Sequence, residues 1–333
     1  MSLPAAVEAR FWCLAFLCLG PPVCVALALI GSPGAASHAL AADPFLPGGL
    51  GLRIGEALGL EPGSVARLER LADVAAFAAL GVSALALAAR GRAALFALLC
   101  LPASLAAALG PDGPLLALGA LAAALLTPRP LTGRRRWPRL AGAALAISLI
   151  ALARPACAPA AGMLLVPFPP AGRIGRFCRD RLALAVLTGM VLPGAALWAA
   201  RTAPVAGVPF PPGPSLPASL PPLLPWPLYG LWAVALLVPL VALRRGPLPP
   251  PAERIWLAGR VLLGLWLMVL AGTGAGRRDG PQARDLLPLL PILVPAFARG
   301  RIGTAASLRW PALLPVLAAA VDGVALPLLA LRA

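Results

Sequence analysis

The sequence predicts an all-α protein that crosses a membrane about eleven times, within a range of about nine to thirteen. Of its 333 residues, 60% are hydrophobic and 12% are charged, and the mean hydropathy is +0.88. A soluble domain is nearer about half apolar and about a quarter charged. A water-soluble fold could not bury so much apolar surface, whereas a bilayer accommodates it in helices. We therefore expect residues 1–333 to form one integral membrane domain.

The apolar residues fall into separate runs, and each run marks a candidate crossing. Several runs are shorter than the ~20 residues that a perpendicular span requires. For this reason, the pairs at 93–127 and 140–168 are expected to form tight hairpins or partly re-entrant helices. The runs lie at residues 11–30, 71–89, 93–110, 114–127, 140–153, 156–168, 182–200, 226–243, 255–271, 286–298 and 310–331.

The arginines support this topology and set its orientation. All 28 basic residues are arginines, and the net charge is +16. With the N-terminus in the cytoplasm, the inner loops hold most of them, with dense groups at 129–139 and 173–181. The bases lie between apolar runs rather than in one patch, which favours the positive-inside pattern over a nucleic-acid surface. We expect a bacterial inner membrane location, a lipid bilayer as partner and no nucleic acid.

Two outer loops are long. The first, 31–70, contains an apolar segment from Leu50 to Leu60 that is expected to lie on the membrane surface. The second, 201–225, is dense in proline. Because proline fixes its own φ and lacks an N–H, this loop is expected to be extended and stiff.

Most familiar chemistries are excluded by residue content. The chain contains no Walker A, HExxH or GxSxG motif. It has one histidine, and its six cysteines form no CxxC pair. Neither a zinc site nor a disulfide is expected, and no cofactor is implied. Any chemistry must therefore use carboxylates, arginines and backbone groups.

Four polar positions in or beside the predicted spans are candidates for function, because polar groups in a bilayer cost free energy. They are His38, the turn Pro111-Asp112-Gly113, the segment Gln282-Ala283-Arg284-Asp285, and Asp322 beside Gly323 in the last run. Each has a structural alternative: a solvated loop histidine, a plain turn, an interfacial charge pair, and a broken helix that admits water.

The first three positions share the outer face. An arginine there could bind a lipid phosphate bidentately, and a carboxylate could act as general base.

The same loops carry a family resemblance. Gly280-Pro281-Gln282-Ala283-Arg284-Asp285-Leu286-Leu287-Pro288 is similar to a Gly-Val-Gln-Gly-Arg-Tyr-Phe-x-Pro motif of bacterial membrane proteins called domain of unknown function 2142. Weaker collinear matches lie at Arg67–Leu71, from Pro102 to Asp112, and at Leu152–Pro155. Pro33 and His38 keep the spacing of the family's Pro-Asp-Glu-x-x-His loop, but Gly34 and Ala35 replace both acids.

The resemblance implies a GT-C-like fold, since that family is similar to the GT-C glycosyltransferases that use polyprenyl-phosphate sugars at the outer face. It implies substrate binding by Arg284, Gln282 and His38, with Asp112 or Asp43 as the catalytic base. Because the acidic pair is replaced, two expectations remain open: an enzyme of cell-envelope glycan assembly, or a diverged relative with little or no activity.

Two other functions are compatible with the sequence. A lipid or solute transporter or flippase would use broken spans, such as one at Asp322-Gly323, to line a path. A non-catalytic membrane scaffold would have no polar cavity. Convergence of Asp112, Arg284 and His38 on one outer cavity would favour the glycosyltransferase.

Overall fold

The computed structural model describes residues 5–30, 47–89, 91–126, 136–153, 230–235, 290–291 and 310–332, with isolated residues at 157, 161, 164 and 187. Eight helices account for most of these residues, and no strand occurs among the described residues. The all-α prediction is confirmed there. The helices are α1 (Ala5–Ile30), α2 (Pro47–Ala57), α3 (Pro62–Leu87), α4 (Arg92–Cys100), α5 (Pro102–Ala107), α6 (Asp112–Leu126), α7 (Arg136–Ala153) and α8 (Trp310–Arg332).

Three of these helices are long and apolar enough to cross a membrane: Ala6–Ile30 in α1, Pro62–Leu87 in α3 and Leu313–Leu331 in α8. Helix α6 and most of α7 are apolar but shorter. The count of about eleven crossings stays a prediction, because most of the runs between 156 and 298 lie outside the described residues. The proline-rich segment 201–225 lies outside them too.

Helices α1 and α3 pack antiparallel around aromatic rings. The ring of Phe16 contacts that of Phe77, with centroids 5.8 Å apart. It also lies against Gly81, where an added Cβ would approach Phe16 Cε1 to 2.7 Å. Cys13 Sγ approaches the carbonyl oxygen of Val82 at 3.7 Å. These contacts give the register of the pair: residues nearer the C-terminus of α1 lie beside residues nearer the N-terminus of α3.

The apolar runs at 93–110 and 114–127 form the expected hairpin. Its outgoing arm is broken at Leu101 (φ −55°, ψ 141°), because Pro102 disfavours a helical conformation in the residue before it. Helix α5 then restarts the arm, and Cys24 Sγ lies 3.6 Å from the carbonyl oxygen of Leu105. The return into α6 requires glycine at position 113, since an added Cβ would lie 2.3 Å from Ala108 Cα.

Two arginines donate to backbone carbonyls at the C-terminal ends of α3 and α6. Arg139 of α7 donates to the carbonyl oxygens of Ala124 (2.9 Å), Leu87 (3.2 Å) and Leu125 (3.3 Å). The last carbonyls of a helix lack intrahelical partners, and a guanidinium satisfies several at once. Arg92 donates to the carbonyl oxygen of Leu85 at 3.1 Å. Both arginines belong to loops that the charge pattern assigns to the cytoplasm.

Arg92 also forms an ion pair with Glu8, with Nη1 3.4 Å from Oε2. The pair links α1 to the start of α4 near the N-terminus of the chain. Its arginine is almost fully buried, so the interaction is better shielded from water than a surface pair.

Helix α8 packs against α1 and α4, and it corrects one expectation. The sequence suggested that the helix breaks at Asp322-Gly323 and lets water reach the carboxylate. Instead, α8 is continuous through both residues. The Asp322 carboxyl is fully buried, and its Oδ2 accepts a hydrogen bond of 2.5 Å from Trp232 Nε1. A buried polar group is stabilised by such a partner without any break in the helix.

Candidate carboxylate site

The candidate site is built by the hairpin of α2 and α3. The turn between them places Gly59 at φ +65°, a conformation that favours glycine. The N–H of Leu60 donates to the Gly55 carbonyl at 3.1 Å, and that of Gly59 donates to the Glu56 carbonyl at 3.0 Å. This Schellman arrangement ends α2, and Pro62 then begins α3 at a position where no N–H is needed. The chain thus folds back on itself within the expected loop 31–70.

Glycines allow α2 to approach α3 closely. Gly48, Gly51 and Gly55 face α3 and are buried. A Cβ at Gly51 would lie 2.8 Å from the carbonyl oxygen of Leu68, and one at Gly55 would lie 3.1 Å from Val65 Cγ2. Backbone therefore packs on backbone, and no larger residue fits at Gly51 without a shift of the helices.

This close approach brings the start of α2 onto a buried carboxyl group. The N–H of Gly48 donates to Asp73 Oδ1 at 2.8 Å, and Asp73 is only 2% exposed. The first N–H groups of a helix have no intrahelical acceptor, and the helix dipole is positive there. Asp73 therefore caps α2 from the neighbouring helix, and α2 in turn gives this buried acid a hydrogen-bond donor.

Two more carboxyl groups lie close to Asp73. Glu69 is one turn earlier on α3 and is also buried. Asp112, half-buried, lies in the first turn of α6. The charges of Glu69 and Asp112 both act on Asp73. We call these three residues the carboxylate cluster. Such a group can accept hydrogen bonds from hydroxyls and take up a proton.

The depth of the carboxylate cluster follows from the helix lengths and from the register of α1 and α3. Helix α6 has 15 residues, which rise about 22 Å at about 1.5 Å per residue. The apolar run 11–30 of α1 rises about 30 Å, close to the thickness of a hydrocarbon core. The contacts of Cys13 with Val82 and of Phe16 with Phe77 place Asp73 level with residues of α1 about nine positions before Ile30, which is roughly 13 Å at about 1.5 Å per residue. The carboxylate cluster is therefore recessed from the C-terminal end of α1.

Among the site residues predicted from the sequence, the structure describes Asp112 and brings it to two acids that the prediction did not include. Asp43, His38, Gln282 and Arg284 lie outside the described residues, so their convergence with Asp112 stays a prediction. Glu69 and Asp73 had a signal in the sequence. They are four residues apart in a helix that also carries Arg67 and Arg70, and another four residues lead to the buried Phe77, so both acids share a face with a core residue.

In the described ranges, no arrangement of side chains indicates metal binding or a disulfide. No three His, Cys, Asp or Glu side chains there are placed to hold a metal ion. The described cysteines, Cys13, Cys18, Cys24, Cys100 and Cys157, are free thiols.

The described part of the fold and this site define a class: an integral membrane protein, helical throughout the described residues, with acidic groups clustered between its helices. The chain belongs to the family described as predicted membrane protein (DUF2142), whose model matches residues 44–229. The matched region contains α2 to α7 and the whole carboxylate cluster. It begins just after Asp43 and ends before Gln282 and Arg284. No curated protein and no solved structure matches the chain.

Proposed function

We propose that this protein is a GT-C-like membrane glycosyltransferase of cell-envelope glycan assembly. It takes a sugar from a polyprenyl-phosphate carrier at the outer face, with Asp112 as the catalytic base. The observation that carries the proposal is the position of Asp112 in the carboxylate cluster. The resemblance alone left catalysis open, because Gly34 and Ala35 stand where the family has acids. The carboxylate cluster offers carboxyl groups near the same face.

The three carboxylates have different surroundings, which suggests different roles. Asp73 is buried and its Oδ1 is engaged by the Gly48 N–H, so it serves structure and position. Asp112 is half-exposed at the start of α6, where the helix dipole favours a negative charge. It is the member of the carboxylate cluster that an acceptor hydroxyl can reach.

The reaction would be a displacement at the anomeric carbon. The acceptor oxygen attacks that carbon and transfers its proton to the Asp112 carboxylate. The bond between the anomeric carbon and the phosphate oxygen breaks, and polyprenyl phosphate leaves with the bonding electrons. Arg284 and Gln282 hold the phosphate and His38 helps to place the sugar, as the resemblance implies.

The depth of the carboxylate cluster favours a lipid-linked donor over a soluble one. Measured along α1, the carboxylate cluster lies roughly 13 Å from Ile30. A donor on a lipid carrier is held in the membrane beside such a recessed site, whereas a soluble donor is not. For the transporter alternative, α8 is continuous at Asp322-Gly323, whereas the arm of α4 and α5 is broken at Leu101 before Pro102.

The test is turnover by purified protein in liposomes that contain radiolabelled polyprenyl-phosphate sugars, scored as release of polyprenyl phosphate. We expect Asp112→Asn to reduce the rate at least about 100-fold, the usual contribution of a general base. Glu61→Gln, at an exposed position outside the carboxylate cluster, is the matched control and should keep the wild-type rate.

Two further variants sharpen the result. Arg284→Lys should also impair turnover, because lysine loses the bidentate fork. Restoring the family acids with Gly34→Asp/Ala35→Glu should raise the rate if the chain has lost part of its machinery. The proposal fails if Asp112→Asn turns over as fast as wild type. It also fails if neither the wild type nor the restored variant acts on any donor of the panel.

A further inference from the structure

Helix α2 lies at the depth of the outer leaflet. It runs alongside the first half of α3, from Asp73 opposite Gly48 to Val65 opposite Gly55. By the register of α1 and α3, that stretch of α3 is level with the last turns of α1, which are apolar up to Ile30. Since the hairpin of α4, α5 and α6 stops short of this depth, α2 occupies the level above it.

The two faces of α2 differ. The glycine face packs on α3, as described above. Beside this face, α2 exposes Leu50 (61%) and, one turn on, Ile54 (45%), and Leu58 (67%) is exposed in the turn that follows the helix. Arg53 and Glu56 are exposed on the adjoining side. The side of α2 that does not pack on α3 is therefore partly apolar and carries an arginine.

Helix α1 also exposes apolar side chains at this depth. Leu29 in the last turn of the membrane-spanning α1 is 55% exposed, and Val25 one turn deeper is 37% exposed. A surface at this depth and of this composition meets acyl chains rather than water. Arg53 beside Leu50 and Ile54 can extend its guanidinium to lipid phosphate while its methylenes remain among the chains.

We propose that Leu50, Ile54 and Leu58 form a lipid-contact face that seats α2 in the outer leaflet, with Arg53 at the level of the phosphates. The glycine face then holds α2 on α3, and the lipid-contact face holds it in the leaflet. Its start is kept on Asp73, so the carboxylate cluster adjoins a helix that touches the bilayer. This inference does not depend on glycosyl transfer and would hold for a transporter or a scaffold.

The test is photocrosslinking of the full chain in liposomes of phosphatidylethanolamine and phosphatidylglycerol. Benzoylphenylalanine is placed at Ile54, at Leu58 or, as the matched control on the same helix, at Glu56. Intact-mass analysis after irradiation then reports phospholipid adducts. We expect adducts at positions 54 and 58 at least about five times more often than at 56, since a helix presents residues four apart on one face.

Three outcomes would overturn the proposal: adduct yields equal at the three positions, crosslinks from 54 and 58 to another segment of the chain, or covalent dimers. A second measurement covers the case of poor incorporation. In the same liposomes, Ile54→Gln/Leu58→Gln should accelerate amide exchange of residues 47–57 at least about tenfold over wild type, and leave residues 77–87 unchanged. Unchanged exchange in α2 would likewise reject the lipid-contact face.

Discussion

The Gly48 N–H and the Asp73 carboxylate are joined by a hydrogen bond of 2.8 Å that crosses from α2 to α3. It satisfies an N–H at the start of one helix with a buried acid from the middle of another. Because the bond needs a close approach of the two backbones, it depends on the glycines of α2. This relationship makes α2 part of the site rather than a loose loop.

Asp73 should therefore be more sensitive to loss of its acceptor than to loss of its charge. Asp73→Asn keeps an oxygen for the Gly48 N–H, whereas Asp73→Leu removes it and leaves the donor unsatisfied. We expect Asp73→Leu to lower the unfolding free energy by about 1–3 kcal/mol and Asp73→Asn by less. Thermal unfolding in detergent, with proteolysis within residues 47–57, measures both. The exposed Glu61→Gln is the control, and equal losses for the two Asp73 variants would contradict the capping role.

Gly51 sets the distance between α2 and α3. A Cβ there would lie 2.8 Å from the Leu68 carbonyl oxygen, so Gly51→Ala forces the helices apart. We expect a loss of about 1–3 kcal/mol, as for other overpacked sites. Gly110→Ala is the control, because an added Cβ at that turn meets nothing within 4 Å. It should stay within about 0.5 kcal/mol of wild type. Equal unfolding temperatures for the two variants would show that α2 is not tightly packed.

Arg139 should not be replaceable by lysine. Its guanidinium serves three carbonyl oxygens on two helices, and a single ammonium cannot reproduce that fork. We expect Arg139→Lys to cost about 1–2 kcal/mol of unfolding free energy. Arg10→Lys, at an exposed position, should be silent in the same thermal unfolding assay. A silent Arg139→Lys would mean that water satisfies these helix ends equally well.

The pairing of Trp232 with Asp322 should be measurable as a coupling energy. A double-mutant cycle with Trp232→Phe and Asp322→Leu isolates the interaction. Hydrogen bonds between membrane helices contribute about 0.6 kcal/mol on average and up to about 1.7 kcal/mol. Since both residues are buried, we expect a value towards the upper end. Additive effects of the two substitutions on thermal unfolding would indicate that the residues are not paired in the membrane.

The orientation can be tested at Cys178, which lies outside the described residues. It is flanked by Arg176, Arg179 and Arg181, and the positive-inside pattern assigns that loop to the cytoplasm. An impermeant maleimide should label it in inverted vesicles but not in intact cells, with Cys178→Ser as the control for labelling elsewhere. Labelling from outside the cell would reverse the assigned orientation and put the carboxylate cluster on the inner face.

Some features of the fold could be predicted from particular residues. The continuous apolar run from Phe11 to Ile30 predicts α1, and Pro111-Asp112-Gly113 between two apolar runs predicts the turn into α6. The apolar segment from Leu50 to Leu60 predicts an element lying on the membrane surface, whereas the structure has α2 alongside the membrane-spanning α3. The predicted break at Asp322-Gly323 was wrong. Glycine weakens an isolated helix, whereas here α8 is stabilised by packing against α1 and by the hydrogen bond between Asp322 and Trp232.

By itself, the sequence determined that this chain is a helical membrane protein. With 60% hydrophobic residues, its helices expose more apolar surface than a water-soluble fold could bury, and a bilayer accommodates that surface. It also determined that any site must be built from carboxylates and arginines. Only the tertiary structure decided that Glu69 and Asp73 are buried and join Asp112. The physical reason is that burial depends on what a helix face meets: the acids of α3 become interior only when glycine-faced α2 packs on them and donates its first free N–H.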